Sequence, residues 1–247
     1  MDYIILGIVQ GITEFLPISS SAHLVIIEKI YSIQMDNLSF ILFCHLGSIF
    51  ALFFYLFKDI LRLFKSPLLL GYIFIATFIT GFFGILFKDY FETTFCSLKI
   101  IASALLINGI ILFLTRYFLE GRREIFSLKL NDVILFGLAQ TLSIIPGISR
   151  SGVTISCLLF RKFDREVAFR FSFLAGIPAI LGAFILEFKK MDISANLELK
   201  KLILSLIVSF IISLFSISIL KNFIKKAKFY YFGYYCIIIG IALFFIK

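Results

Sequence analysis

Apolar runs long enough to cross a bilayer recur along this chain, and they constrain its fold more than any other feature. A hydrocarbon core about 30 Å thick takes roughly 20 helical residues to cross. Six runs reach that scale, near 39–57, 68–87, 100–118, 167–187, 202–220 and 229–246. Backbone groups in lipid must be bonded within their own segment, so the runs predict helices. Composition agrees, with 61% hydrophobic and only 16% charged residues, where soluble domains carry roughly 25% charged. Met1, Asp2 and Tyr3 lack the basic opening of a signal peptide, so none is expected. With no long polar segment in the sequence, function belongs inside the bundle.

The net charge of +9 could suggest a nucleic-acid partner, but the basic residues stand in short loops beside apolar runs. There they read as topology signals, and nucleic acid is excluded. Cys44, Cys96, Cys157 and Cys236 have neither metal nor redox spacing and read as small apolar fillers.

The polar exception is QGITEFLPISSSAH, residues 10–23, and it has a twin. Residues 2–24 fall on residues 132–154 without a gap, pairing Asp2 with Asp132, Gly7 with Gly137 and Gln10 with Gln140. Ser19 falls on Ser149 and Ser21 on Ser151, with Thr13 close to Ser143. Such a register predicts an internal duplication, 1–130 and 131–247, each half one polar motif followed by three apolar spans within one membrane domain.

A helix from Tyr3 to Leu16 rises about 21 Å, short of the core. Pro17 disfavours helix at the residue before it, and Ser19 can cap a second helix towards Ile30. That pattern fits a re-entrant helix–turn–helix and a kinked spanning helix equally well. Loop charges separate the two. With both motifs turning back there are six spans, and Lys and Arg divide 15 to 8, leaving aside Arg150 inside the motif; with both crossing, they divide 11 to 12. Only the re-entrant arrangement gives a positive-inside bias, with Lys58, Arg62, Lys65, Arg122, Arg123, Lys129, Lys225, Lys226 and Lys228 on the richer face. The expected fold is therefore an all-α polytopic membrane protein with six transmembrane helices, two re-entrant motifs in an inverted-topology repeat, and both termini outside the cytoplasm. Three spans separate the motifs, so they enter from opposite faces and their tips should meet near the midplane.

Two helix N-termini aimed at a shared cavity favour an anion. Arg150 is the only Lys or Arg in either motif, and a guanidinium matches phosphate in a bidentate way. Its alternative role is counter-ion to Glu14. Gln10 and Glu14 are four apart and share a helical face, so Glu14 is a candidate base or cation ligand; its alternative is a buried protonated carboxyl. Ser19, Ser149, Ser151 and Thr154 are candidate phosphate donors or caps, and Ser20, which occupies the repeat position of Arg150, is the nucleophile candidate. His23, one turn after Ser19, is either a structural histidine or a proton shuttle. His45, in an apolar span, has a weaker claim.

Both motifs resemble those of the bacitracin-resistance type of undecaprenyl-diphosphate phosphatase. The first reads Gln10, Glu14, Pro17, Ser19, Ser20 with His23 following; the second is complete as Pro146, Gly147, Ser149, Arg150, Ser151 and Thr154. The similarity runs over the whole chain, including FSFLAGIPAILGA at 171–183. Gln10 is the less acidic of that family's two options. The resemblance implies hydrolysis of undecaprenyl diphosphate to undecaprenyl phosphate and inorganic phosphate, recycling the lipid carrier for cell-wall synthesis. It also implies a divalent cation, Mg2+ or Ca2+, near Gln10 and Glu14, and a location in the bacterial plasma membrane. Expected partners are the polyprenyl diphosphate and membrane lipids, with a homodimer admitted. On this reading Arg150 and the helix ends hold the diphosphate, Glu14 activates Ser20 or a water, and His23 or Ser149 steadies the oxygens. The rival is an inverted-repeat transporter or lipid flippase, which would aim the same broken helices at an anionic cargo.

Overall fold

The computed structural model of the chain describes residues 2–31, 38–87, 97–118, 120–189 and 199–245. Cys96 and residues 32–37, most of a short loop near Ser32–Leu38 expected outside the cytoplasm, lie outside the described residues. Helix follows helix: α1 (Asp2–Thr13), α2 (Ser20–Tyr31), α3 (Leu38–Tyr55), α4 (Phe57–Leu63), α5 (Pro67–Leu86) and α6 (Leu98–Leu114). After short turns at Thr115–Tyr117 and Ile125–Ser127 come α7 (Leu130–Leu142), α8 (Arg150–Phe160), α9 (Arg165–Phe188), α10 (Leu199–Lys225) and α11 (Tyr231–Leu243). Among the described residues the only extended pairing is an isolated bridge between Arg123 and Phe163.

The expected six runs resolve unevenly. Among the described residues four helices, α5, α6 with its following turn, α9 and α10, are long and apolar enough to cross a membrane. The run at 39–57 breaks at Leu56, where α3 and α4 differ in direction by 70°, so it makes a fifth span only if the bent pair counts as one. The bend falls where charge enters the sequence. Asp59 pairs with Arg170 of α9 at 2.6 Å, while Ile60 and Leu63 stay packed on the core. The last run is helical over thirteen residues only, Tyr231–Leu243, about 20 Å of rise. The protein is thus an all-α, multi-pass membrane protein.

Both polar motifs are hairpins of helices. α1 ends at Thr13, earlier than the expected Leu16; its last turn closes with Glu14 N–H on the Gln10 carbonyl at 2.9 Å. Pro17 then sits in the turn, where its missing N–H and fixed φ are tolerated. Leu6 of α1 and Leu24 of α2 share one small core with Cys44, which a continuous helix would forbid by holding them about 27 Å apart. The second hairpin is closed at its base, where Asp132 in the first turn of α7 meets Arg161 just after α8 at 2.7 Å.

Each hairpin leans on a long helix: α1 packs on α10, and α7 on α5. The repeat glycines permit this. A Cβ on Gly7 would lie 2.8 Å from the Ser205 carbonyl oxygen, and one on Gly137 would lie 3.1 Å from Ile79 Cβ. Phe15 in the first turn packs edge-on against Phe173 of α9, ring centroids 5.6 Å apart, within a buried aromatic core. That core fixes the first turn against the helix that also faces Arg150.

Candidate active site at the two helix tips

The two turns meet head to head. Ser151 Oγ donates to the Phe15 carbonyl at 2.9 Å, and Gly147 N–H donates to Ser19 Oγ at 3.1 Å. Asn108 of α6 binds both turns: its Nδ2 donates to the Pro17 carbonyl at 3.0 Å and its Oδ1 accepts Ser149 N–H at 3.1 Å. Paired hydroxyls recur in each tip, Ser19 with Ser21 and Ser149 with Ser151, both at 3.1 Å. Ser149 caps α8 by accepting Gly152 N–H at 3.2 Å; Ser19 caps α2 more loosely, 3.5 Å from Ala22 N. Two tip residues take positive φ, Gly147 at 106° and Ser19 at 70°.

Beside this junction lies a cavity of about 340 Å³. Glu14, Ser19, Ser20, Ser21, His45, Ser149 and Arg150 line it, with Thr80, Gln140 and Ser143. Ile180, Ala183 and Phe184 of α9 form an apolar wall, and Glu187 stands at its end. A polar cavity with one apolar wall suits a ligand with a charged head and a lipid tail.

Glu14 is the hub. Its Oε2 accepts from Ser20 Oγ at 2.9 Å and from Gln10 Nε2 at 2.8 Å. The same Gln10 nitrogen lies 2.9 Å from His45 Nδ1, which is itself 3.7 Å from the carboxylate. A nitrogen is the only end of the amide that suits a site between a carboxylate and an imidazole acceptor. The Gln10 oxygen is then left buried without a partner.

Arg150 is the other pole. It opens α8, its guanidinium lies 5.6 Å from the centre of the Phe173 ring, and it fills the space that Gly176 leaves open. A Cβ at position 176 would collide with Nη1 and lie 2.8 Å from Cζ. Nη1 and Nη2 are buried and have no hydrogen-bond partner among the described residues. Glu14 and Arg150 share the cavity but make no direct salt bridge among the described residues; His45 Nδ1 lies 3.7 Å from the Glu14 carboxylate. Buried guanidinium nitrogens without hydrogen bonds are costly, a cost that an incoming anion removes.

The structure sorts the residues singled out from the sequence. Glu14, Ser19, Ser20, Ser149 and Arg150 line the cavity, and Gln10 holds Glu14 from behind. Ser151 and Thr154 are fully buried and serve the scaffold; Thr154 Oγ1 donates to the Arg150 carbonyl at 2.6 Å and contacts Ser172 Oγ. His23 turns away from the cavity, its Nδ1 on the Ser19 carbonyl and its Nε2 on Tyr235 OH. Its expected place beside Glu14 is taken by His45. Asn108, Gly176 and Tyr235 were missed. Asn108, alone among its type in the 100–118 run, carried a signal, because an amide in an apolar span needs a partner.

The base of the second hairpin is clamped by ion pairs. Asp132 accepts from Arg123 Nη2 at 2.6 Å, Arg161 Nε at 2.7 Å and Lys129 N–H at 3.0 Å. Burial pushes its carboxyl pKa up, but these donors outweigh burial and lower it to about 2.

Fold and site together define a multi-pass membrane protein with a polar cavity where two helical turns meet. The bacitracin resistance protein BacA family model matches residues 3–242. An undecaprenyl-diphosphatase of Alkaliphilus metalliredigens is 40% identical over 260 residues, spanning 96% of this chain and 94% of that one. That of Thermosipho africanus is 38% identical over 254 residues and 100% of both chains, and that of Methanobrevibacter smithii is 35% identical over 98% of this chain and 95% of its own. The chain belongs to the BacA family.

Proposed function

We propose that this chain hydrolyses undecaprenyl diphosphate to undecaprenyl phosphate and inorganic phosphate, returning the carrier lipid to cell-wall synthesis. The observation that carries the reading is the buried guanidinium of Arg150, whose Nη1 and Nη2 have no hydrogen-bond partner among the described residues, in the same cavity as a serine hydroxyl hydrogen-bonded to a carboxylate. Arg150, the Ser149 hydroxyl and the free N–H groups at the start of α8 bind the terminal phosphate. Glu14 takes the proton of Ser20 as Oγ attacks the terminal phosphorus in line. The anhydride P–O bond breaks, undecaprenyl phosphate leaves, and water then splits the phosphoserine to inorganic phosphate. The relatives named above bear an enzyme's name, which favours hydrolysis over transport.

A divalent cation belongs to the proposal. Among the described residues no three of His, Cys, Asp and Glu stand together as a metal cluster. A hard cation held by few protein oxygens and completed by phosphate fits what is present: the Glu14 carboxylate and the unpartnered Gln10 oxygen would hold it. When bound it supplies positive charge to offset the diphosphate.

The site is read as lying in the plasma membrane between two re-entrant hairpins of an inverted repeat, with six spans and both termini outside. Packing supports a division at 130/131, since α10 lies on α1 and α3 as α5 lies on α7 and α9, while α6 pairs with α11. The cysteine variant Arg122→Cys, on a background depleted of other cysteines, should resist an impermeant thiol reagent in whole cells; labelling there overturns the orientation. Chemistry is tested with substrate labelled in its terminal phosphate. Labelled inorganic phosphate should appear and acid-quenched protein should carry label on Ser20. Turnover without label on Ser20 sends the attack to a water activated by Glu14.

A further inference from the structure

We propose that Tyr235 and His23 form a positioning relay, outside the cavity, that holds the strained backbone of Ser19 and thereby aims Ser20 at Glu14. Ser19 has φ +70°, a left-handed conformation that is strained for a non-glycine residue. It directly precedes Ser20, so any relaxation of Ser19 rotates the peptide that carries the Ser20 hydroxyl. Besides the local α2 contacts of Ser19 with Ser21 Oγ, Ala22 N–H and the His23 backbone N–H, two contacts oppose relaxation. Gly147 of the other tip donates to the Ser19 hydroxyl, and His23 Nδ1 lies 2.8 Å from the Ser19 carbonyl oxygen.

The second contact fixes a tautomer. A carbonyl only accepts, so Nδ1 carries the proton, and in the neutral ring Nε2 is left as an acceptor. Tyr235 of α11 supplies the matching donor, its OH 2.7 Å from Nε2, and the two rings stack at 5.7 Å with planes 12° apart. Both ring nitrogens are thus used away from the cavity, and neither Tyr235 nor His23 lines it. His23 is a positioning residue rather than a proton shuttle. In the second tip, Asn108 does comparable work by holding Ser149 N–H.

The kinetic arm rests on the hydrolase reading; a spectroscopic arm does not. The chain has two histidines, so nitrogen-15 labelling of histidine in detergent gives two rings, assigned with His45→Gln. His23 should be neutral and protonated at Nδ1, and Tyr235→Phe should shift it towards the Nε2–H form. A wild-type His23 that is charged or Nε2–H at neutral pH overturns the relay whatever the activity. In turnover, Tyr235→Phe should lower kcat about threefold to tenfold, the worth of one hydrogen bond, with KM and melting temperature kept. His23→Ala should lose more, about tenfold to a hundredfold. His23→Asn should recover most of that loss, because Asn Nδ2 can take the place of His Nδ1, and the pH profile should keep its shape. If His23→Asn is as impaired as His23→Ala and a limb of the pH profile vanishes, His23 transfers protons and the relay is wrong. Absence of phosphate release by the wild type would instead sink the hydrolase reading and leave the tautomer measurement standing.

Discussion

Gly176→Ala adds one methyl group, and the structure says where it goes. The new Cβ would collide with Arg150 Nη1 and lie 2.8 Å from Cζ, whereas ordinary contact begins near 3.4 Å. The guanidinium must therefore withdraw by at least about 0.6 Å. Misplacement of a catalytic group by about 1 Å costs on the order of a hundredfold, so turnover should fall roughly tenfold to a hundredfold. Stability should hold, because the obstructed group is the end of a flexible side chain. Alanine is also better than glycine inside a helix by up to about 1 kcal/mol. The assay is phosphate release from the diphosphate lipid with a thermal melt on the same preparation. Because Arg150 and Gly176 touch, Gly176→Ala should cost little in an Arg150→Ala background, and the double change should be strongly non-additive. Wild-type turnover by a stable Gly176→Ala protein, with Arg150→Ala inactive, would refute the placement of the guanidinium against Gly176.

Other expectations follow from the same contacts. Arg150→Lys keeps the charge but loses the fork, and phosphate release should fall roughly tenfold to a thousandfold with little change in melting temperature; near wild-type turnover would leave Arg150 a simple point charge. Glu14→Gln should abolish turnover while a lipid-binding measurement stays close to wild type, since shape is kept and the proton acceptor is lost. Asp132→Asn should cost roughly 1–3 kcal/mol in unfolding, less than a fully buried pair because Arg123 and Arg161 keep side-chain exposures of 27% and 43% and can rehydrate. The Asp132 carboxyl is lowered to about 2, so its contribution is complete above the ordinary carboxylate range and is lost as pH falls towards 2; an acid melt should show the wild type and Asp132→Asn converging there.

What the sequence disclosed was whatever repeats or whatever breaks a pattern. Pro17, the paired serines and the lone Arg150 stand out from apolar surroundings, and the register of 2–24 on 132–154 by itself predicts that the two tips meet. Helix termini were less legible. α1 stops at Thr13, and the bend at Leu56 carries neither Pro nor Gly to announce it, so the local sequence marks neither point. Residues that act across long sequence separations were hidden for the same reason. Gly176 matters only because Arg150 arrives from another helix, and Tyr235 only because α11 sets it beside His23. His23 and His45 show the difficulty most plainly. Spacing within the motif favoured His23, yet packing of α3 against α1 brings His45 to Gln10 and Glu14.

The central claim is that a bond is broken at the cavity between the tips. Its most direct test is the purified protein in detergent micelles, with no membrane and no gradient, supplied with undecaprenyl diphosphate and a divalent cation. One inorganic phosphate should be released per lipid monophosphate formed, and Ser20→Ala and Arg150→Ala should each suppress it. Tight lipid binding with no phosphate released under these conditions would contradict the account and return the two tips to a transporter.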